Sequence, residues 1–208
     1  MIFHNRLHAA RLLVDSLSQY RDQNPLVLAI PRGGVPIGRV IADALGGELD
    51  VLMVRKLSAP MDPELAIGAV SEGGEVFISD IAGRLGASDE YIEAEVGKQI
   101  SLMHRRRAQY TPVRTPIDPR ARVVIVVDDG LATGATMATG LRSLQNLLPK
   151  KVICAIPVAA ATSLALVEPY CNEIVCLDKE LNFSGVGAFY EDFAQVDDSE
   201  VVSLLASS

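Results

Sequence analysis

Two kinds of apolar pattern alternate along this chain. Short apolar runs, typical of strands buried on both faces of a sheet, occupy residues 26–30, 51–54, 123–127, 152–156 and 174–177. Between them, apolar residues recur every three or four positions and predict helices at about 5–20, 88–107, 162–167 and 199–206, with two more ending near residues 45 and 148. Strands that alternate with helices indicate βαβ units, so we predict an α/β fold with a mainly parallel sheet flanked by helices.

Two parts of the chain depart from this alternation. Residues 56–65 contain two prolines and are predicted to form a loop, and residues 66–78 are predicted to form two short strands around a glycine-rich turn. The segment 84–119 combines a polar helix with a proline-rich connector, so we predict a helical insertion outside the main sheet. Residues 178–198 are predicted to be irregular.

The length and composition fit a single folded domain. The chain has 208 residues, of which 49% are hydrophobic and 22% are charged, an ordinary balance for a folded protein. We therefore predict one domain over residues 1–208, with a core of about 26–83 and 120–178. Residues 1–25 and 179–208 would form a small hood or lid beside the insertion 84–119.

The charge and the cysteines restrict the partners and the location. The net charge is −7, so we expect neither nucleic acid nor a membrane as a partner, and an anionic ligand would need a local basic site. No apolar stretch approaches the roughly 20 residues that cross a bilayer, and the first residues lack the apolar segment of a secretory signal. The odd number of cysteines, three, then predicts reduced thiols and a cytoplasmic location, with Cys171 and Cys176 as structural thiols rather than zinc ligands.

The strongest chemical signal lies at residues 123–137. Five β-branched residues end at Asp128 and Asp129, and a loop of glycine and threonine residues then leads into a helix. Open α/β sheets bind ligands at the carboxyl ends of their strands, where small residues let backbone N–H groups approach a phosphate and the helix N-terminus favours negative charge. The spacing excludes a Walker A loop, because no Gly-Lys-Ser/Thr follows.

This segment resembles the signature of the type I phosphoribosyltransferases, in which two acids precede a Thr-Gly-x-Thr phosphate loop. The resemblance implies a Rossmann-like core that binds 5-phosphoribosyl-1-pyrophosphate (PRPP), with the two acids holding the ribose hydroxyls and the loop holding the 5-phosphate. It also implies Mg²⁺, which Asp128 or Asp129 would contact directly or through water. The matching residues are Asp128, Asp129, Gly130, Leu131, Ala132, Thr133, Gly134, Ala135 and Thr136.

Two further segments match the same family. Arg32, Gly33 and Gly34 follow the first apolar run and resemble the loop that binds pyrophosphate in that family, where a strained peptide bond is common. Arg55 and Lys56 follow the second run, where a family member has a basic residue that contacts the departing pyrophosphate. Arg32, Lys56, Asp128 and Asp129 are therefore the candidate catalytic residues.

Other residues have two readings. Residues 57–78 match the position of the mobile catalytic loop of the family, so Glu64, Glu72 or Glu75 could orient a base, although hairpin surface residues are the favoured reading. The run 105–107 of three arginines is interpreted as a solvated helix end rather than a nucleic-acid site. Phe183, Phe189 and Tyr190 could stack on a base or form the interior of a lid, and the sequence does not separate the two.

The resemblance implies transfer of the phosphoribosyl group of PRPP to a nitrogen base, with release of pyrophosphate. Ala132 stands where family members that act on 6-oxopurines usually carry an aspartate, which weakens that reading and leaves the base open. The alternatives are a regulatory protein that binds PRPP without turnover and an α/β hydrolase or phosphatase that uses Asp128 as a nucleophile. A homodimer is the default expectation for assembly.

Overall fold

The central sheet consists of five parallel strands. In the computed structural model, which describes residues 1–207 except for the side chain of Glu64, these strands are β1 Leu26–Ala29, β2 Glu48–Val51, β6 Val123–Val127, β7 Lys151–Ala160 and β8 Glu173–Glu180. They lie in the order β2-β1-β6-β7-β8. All five residues of β6 are buried, as are all four of β1, because helices cover both faces of the sheet. The predicted α/β fold with a mainly parallel sheet is confirmed.

The described residues form six α-helices. They are α1 Arg6–Ser16, α2 Gly34–Leu45, α3 Asp89–Tyr110, α4 Ala135–Gln145, α5 Ala161–Val167 and α6 Asp198–Ala206. Alternate strand residues such as Val27 and Ile125 face a core shared with α1, α2 and α6. Their neighbours Leu28 and Val126 face a second core that includes α4. The sheet therefore forms the middle of three layers.

A second, antiparallel sheet is formed by the part of the sequence between β2 and α3. Its strands are β3 Val54–Ala59, β4 Asp62–Ser71 and β5 Val76–Ile78. The prediction of a loop at residues 56–65 is therefore wrong. The two prolines had suggested that loop, but Pro60 lies at the turn between the strands and Pro63 lies where the pairing register shifts, so both avoid regular ladder positions.

The pattern of the apolar run 51–54 predicted a single strand, but the run is divided between two strands. β2 ends at Val51, and the N–H of Leu52 still donates to the carbonyl of Ala29 at 2.9 Å. The chain then leaves the parallel sheet and enters β3 at Val54. All four residues of the run 51–54 are buried, so the hydrophobic pattern continues through the change of sheet and hides it.

The long helix α3 packs against the second sheet. Its apolar stripe, with Val96, Ile100 and Met103, lies in the core shared with Leu57 and Ile67 of β3 and β4. The helix extends to Tyr110, beyond the predicted end at about residue 107, because Tyr110 is fully buried and the helix keeps its packing partners there. The edge strand β8 is also longer than predicted, since it continues through the charged residues 178–180.

Within residues 1–207, no helix has the length and apolar composition that a membrane crossing requires.

Candidate functional site

Two loops meet at the carboxyl ends of the adjacent strands β1 and β6. The strands pair in parallel with Ala29 opposite Val127, and the N–H of Ile30 donates to the carbonyl of Val127 at 2.9 Å. The loop 30–33 and the loop 128–134, which contain the two candidate phosphate-binding segments, therefore lie side by side. The peptide bond between Pro31 and Arg32 is cis.

Glycine is required where these loops touch. A Cβ on Gly33 would lie 1.9 Å from Oδ2 of Asp129, so the aspartate occupies the space that any other side chain would need. A Cβ on Gly34 would lie 2.7 Å from the carbonyl oxygen of Val127, which belongs to the backbone and cannot rotate away. The glycine pair thus brings the backbone of the first loop against the carboxylate of the second.

Asp129 is held by residues from the two ends of the chain. Arg6 donates from Nε and Nη2 to Oδ2 of Asp129 at 2.9 and 2.8 Å, and from Nη1 to the carbonyl of Ala194 at 2.7 Å. The guanidinium carbon of Arg6 lies 3.9 Å from the ring centroid of Phe193, and the hydroxyl of Tyr190 donates to the carbonyl of Asp129 at 2.6 Å. Arg6 was not among the predicted site residues, because it is 123 positions away in sequence and belongs to no local motif.

The two acids share an environment that opposes ionisation. Burial and, after it, the charge of Asp129 raise the pKa of Asp128 well above its ordinary value. Burial also raises the pKa of Asp129, while the guanidinium of Arg6 acts in the opposite direction. Oδ1 of Asp128 accepts a hydrogen bond from the N–H of Asp129 at 2.8 Å, so this carboxylate is oriented by its own loop.

The loop after the two acids is fixed to β7 and α5. The N–H of Leu131 donates to the carbonyl of Val158, and the N–H of Ala160 donates to the carbonyl of Leu131, each at 2.9 Å. Ser163 donates to the carbonyl of Ala132, and Gly134 has a φ of 81°, which favours glycine. Helix α4 then begins at Ala135, and Ala132 and Thr133 are left exposed. The arrangement is a rigid loop with its tip in solvent at a helix N-terminus.

A cleft of about 260 Å³ opens beside Asp128. Its charged and hydroxyl-bearing lining residues are Arg55, Lys56, Arg106, Asp128 and Thr136. Arg55 and Lys56 belong to β3 of the antiparallel sheet rather than to the end of a parallel strand, and Nε of Arg55 donates to Oε1 of Gln99 at 2.6 Å. The structure therefore brings the basic pair predicted from the sequence next to the first acid.

Arg32 lies on another side of the same region. Burial raises the pKa of Tyr110, and the nearby charge of Arg32 opposes that effect. A hydrogen bond from Ser199 lowers the pKa of Asp197, and the charge of Arg32 adds to that lowering. Arg32 is thus near enough to Tyr110 and Asp197 for its charge to act on both.

Glu72 and Glu75, two of the three glutamates that could orient a base, lie outside the cleft beside Asp128. Oε2 of Glu72 accepts from Nε of Arg107 at 3.1 Å, and Glu72 and Glu75 line a separate cavity. The side chain of Glu64 lies outside the described residues. Nη1 of Arg107 also lies 3.2 Å from Oδ1 of Asp50, a residue that is 2% exposed. The interpretation of the arginine run as a solvated face is therefore wrong for Arg107, because the buried Asp50 needs a counter-charge.

The aromatic residues near the C-terminus form a cluster against the N-terminal segment. Phe189 and Tyr190 are buried with Phe3, and Phe183 stacks on Phe189 with ring centroids 5.2 Å apart. Phe189 and Tyr190 are therefore interior residues rather than exposed stacking surfaces. Phe193, which was not among the predicted site residues, is 37% exposed and contacts the Arg6 that binds Asp129.

Residues 1–193 match the family model for the phosphoribosyl transferase domain. The chain belongs to this family. The resemblance found in the sequence is thereby confirmed, and the two loops that carry it are the loops that meet at the carboxyl ends of β1 and β6.

Relatives within the phosphoribosyl transferase family match almost the whole chain. Two Mycobacterium tuberculosis proteins, from strains CDC 1551 and H37Rv and provisionally named phosphoribosyl transferases, are 36% identical over 205 residues. The match covers 98% of this chain but 46% of each relative, so the chain spans about half the length of these proteins.

Solved structures show the same fold. The crystal structure of TT1426 from Thermus thermophilus is 39% identical, with a TM-score of 0.83 and coverage of 100% of this chain and 99% of that one. The AQ2163 protein from Aquifex aeolicus, at 14% identity and a TM-score of 0.53 over 84% of this chain and 73% of that chain, supports the fold alone.

Proposed function

We propose that this chain binds PRPP and transfers its phosphoribosyl group to a nitrogen nucleophile, releasing pyrophosphate. The proposal rests on one observation above the others. The segments 128–136 and 32–34, which match the family, meet at the ends of adjacent strands, beside a cleft that Arg55 and Lys56 line. Ligands of open α/β sheets bind at this edge, and phosphates bind where backbone N–H groups and basic side chains converge.

The chain's own residues would bind and orient the substrate. The loop from Gly130 to Thr136 would hold the 5-phosphate at the N-terminus of α4, and Asp128 and Asp129 would accept hydrogen bonds from the ribose hydroxyls. Arg32, Gly33 and Gly34 would face the pyrophosphate together with Arg55 and Lys56. The reaction breaks the bond from ribose C1 to the pyrophosphate oxygen and forms a bond from C1 to nitrogen, and the proton of the nitrogen is released to water. Cationic side chains stabilise the negative charge that develops on the departing pyrophosphate.

Mg²⁺ fits this donor set as part of the proposal. Among the described residues, no three His, Cys, Asp or Glu side chains are grouped to hold an ion. Mg²⁺ is commonly held by one or two carboxylates, with substrate phosphates and water completing its six ligands. Asp128 and Asp129 would provide those carboxylates, and the ion would neutralise part of the charge on the pyrophosphate.

The types of residue near the two acids restrict the choice of acceptor base, although they do not form a complete pocket. The position of Ala132 in the loop offers no carboxylate to a base, and its side chain is exposed. Phe193 and Arg6 provide an exposed aromatic ring and a guanidinium next to Asp129. We propose a nitrogen base that does not depend on a carboxylate from the loop. The three free thiols favour a cytoplasmic location for the reaction.

Isothermal titration calorimetry with PRPP and Mg²⁺ is the first test, with ribose 5-phosphate as the comparison ligand. We expect PRPP to bind more tightly, because it adds the pyrophosphate contacts. Release of pyrophosphate would then be measured with adenine, uracil, xanthine and other nitrogen nucleophiles. Binding without release in the presence of every acceptor would favour the regulatory alternative, and absence of PRPP binding would refute the proposal.

The variant Asp129→Asn probes the assigned site directly. It removes a charged acceptor for the ribose hydroxyls, so we expect PRPP affinity to fall by about 10- to 100-fold, equivalent to about 1.5–3 kcal/mol. Thr133→Ala, which removes a neutral donor, should weaken binding less. Wild-type affinity in both variants would contradict the assignment.

A further inference from the structure

Three consecutive arginines of α3 have three different environments. Arg105 is exposed, whereas Arg107 is bound to Asp50 and Glu72. Arg106 lines the cleft that also contains Asp128 and Thr136. Successive residues of a helix point about 100° apart, so one helix can place a buried counter-charge, a site residue and a solvent-exposed residue in a row. Arg106 lies outside every motif that carries the family resemblance.

The contacts of Arg106 leave most of its donors available. Its Nε lies 3.2 Å from Oδ1 of Asp198, in the first turn of α6, and the side chains are 30% and 34% exposed. Among residues 1–207 this ion pair is the polar contact that the structure gives Arg106. The same Oδ1 accepts a hydrogen bond from the hydroxyl of Tyr110 at 2.7 Å, so Asp198 is shared between two donors. The pair is open to water, which makes it weak and replaceable.

The charge in the cleft is unbalanced toward the positive. Arg55, Lys56 and Arg106 line it together with one acid, Asp128. Burial lowers the pKa of Arg55, and the charge of Arg106 adds to that effect, as expected for two guanidinium groups in proximity. The charges of Glu95 and, after it, Asp198 compensate part of this repulsion. A ligand with several negative charges would relieve it more fully.

We propose that Arg106 is a further pyrophosphate-binding residue, and that the ligand replaces Asp198 as its partner. The inference rests on the proposed function, since it assigns a fourth cationic side chain, besides Arg32, Arg55 and Lys56, to the leaving group. A guanidinium binds phosphate oxygens through paired donors, which the contact through Nε alone does not use. Asp198 acts as a stand-in that holds Arg106 near the cleft before the ligand arrives.

A purely structural role of Arg106 would lead to different effects of its removal on stability and on ligand affinity. If Arg106 serves to fasten α3 to α6, then removing either partner should lower stability and leave ligand affinity unchanged. If Asp198 competes with the ligand for Arg106, removing the arginine should weaken binding and removing the aspartate should strengthen it. The sign of the Asp198 effect therefore separates the two roles.

The experiment is a set of calorimetric titrations with three probes: PRPP with Mg²⁺, pyrophosphate with Mg²⁺, and ribose 5-phosphate. Arg106→Gln should weaken PRPP and pyrophosphate about 10- to 100-fold, as loss of a charged hydrogen bond does, and leave ribose 5-phosphate unchanged. Arg105→Gln, one position away and exposed, is the matched control and should bind like wild type. Asp198→Asn should bind pyrophosphate several-fold more tightly, and Arg106→Lys should retain part of the affinity.

Thermal melting of each variant would establish that it is folded before titration. Wild-type affinities in Arg106→Gln would overturn this inference while leaving the proposed function intact. An equal loss for ribose 5-phosphate would overturn it too, by assigning Arg106 to the 5-phosphate. If the wild-type chain bound neither PRPP nor pyrophosphate, the proposed function and this inference would both fall.

Discussion

Arg6→Gln should destabilise the folded chain, because it breaks the ion pair between Arg6 and Asp129. Arg6 is the first residue of α1 and its side chain is 12% exposed, against 15% for Asp129. Two of its nitrogens donate to one carboxylate oxygen, and the third donates to the carbonyl of Ala194. Arg6→Gln keeps a polar side chain of moderate length but removes the charge and most of these donors.

The expected loss follows from the burial of Asp129. Removing one partner of a buried ion pair costs about 3–5 kcal/mol, because the other charge is left without compensation. Both side chains of this pair keep some contact with solvent, so we expect the lower range, about 2–3 kcal/mol. A chain of this size loses about 2–4 °C in Tm for each kcal/mol, which gives a fall of about 4–12 °C.

The pH dependence of this loss has a definite sign. Burial raises the pKa of Asp129 and Arg6 opposes that rise, so the variant would have a still higher pKa for Asp129. The unpaired carboxylate is penalised only while it is ionised. The destabilisation should therefore be largest at neutral and alkaline pH, and it should shrink as the pH falls through the raised pKa and Asp129 becomes protonated.

Urea or thermal denaturation of four proteins provides the assay: wild type, Arg6→Gln, Asp129→Asn and the double variant. The double-mutant cycle isolates the pair, and we expect a coupling energy above about 1 kcal/mol, as for groups in one ion-pair network. Arg11→Gln, an exposed residue of the same helix, is the control and should stay within about 0.5 kcal/mol of wild type. A melting temperature of Arg6→Gln equal to that of the control, or additive single effects, would refute the reasoning.

Two further variants address the acids and the glycine beside them. Gly33→Ala places a Cβ 1.9 Å from Oδ2 of Asp129, so we expect PRPP affinity to fall at least about 10-fold by calorimetry, equivalent to about 1.4 kcal/mol. Gly73→Ala, whose Cβ would meet nothing nearer than 3.9 Å, should bind like wild type, and equal affinities in the two variants would contradict the packing argument. Asp128→Asn should weaken PRPP binding but raise Tm at pH 8, because burial and the adjacent Asp129 raise the pKa of Asp128 and make its ionised form destabilising. That gain should vanish toward pH 4, where the wild-type carboxyl is protonated in the folded chain and increasingly so in the unfolded chain, and a Tm gain independent of pH would contradict it.

The parts of the fold that were predictable depend on local patterns. The strand β6 and the loop after it were predicted because five apolar residues, two acids and a glycine-threonine turn stand in sequence order. The hairpin of β3 and β4 was missed because the prolines at its turn and at its register shift are loop signals elsewhere in proteins. Burial of both strands depends on α3 and α4, which are distant in sequence.

The site was predictable only where its chemistry lies in one segment. Asp128, Asp129 and the loop that follows them form such a segment. Arg6 reaches Asp129 because α1 packs against α2, and no pattern near Arg6 indicates that contact. Arg105, Arg106 and Arg107 are identical residues in a row, so only the packing of α3 decides which of them lines the cleft.

These observations give the two ends of the chain an electrostatic role at the candidate site. Asp128 and Asp129 are adjacent, half-buried and acidic, a combination that destabilises a folded chain unless compensating charges are near. The compensation for Asp129 comes from Arg6 in α1, which Phe193 covers from the C-terminal segment. The partner of Arg106 is Asp198 in α6. Since these charges come from the terminal segments, replacing either end of the chain with the corresponding segment of a relative would require a substitute for them.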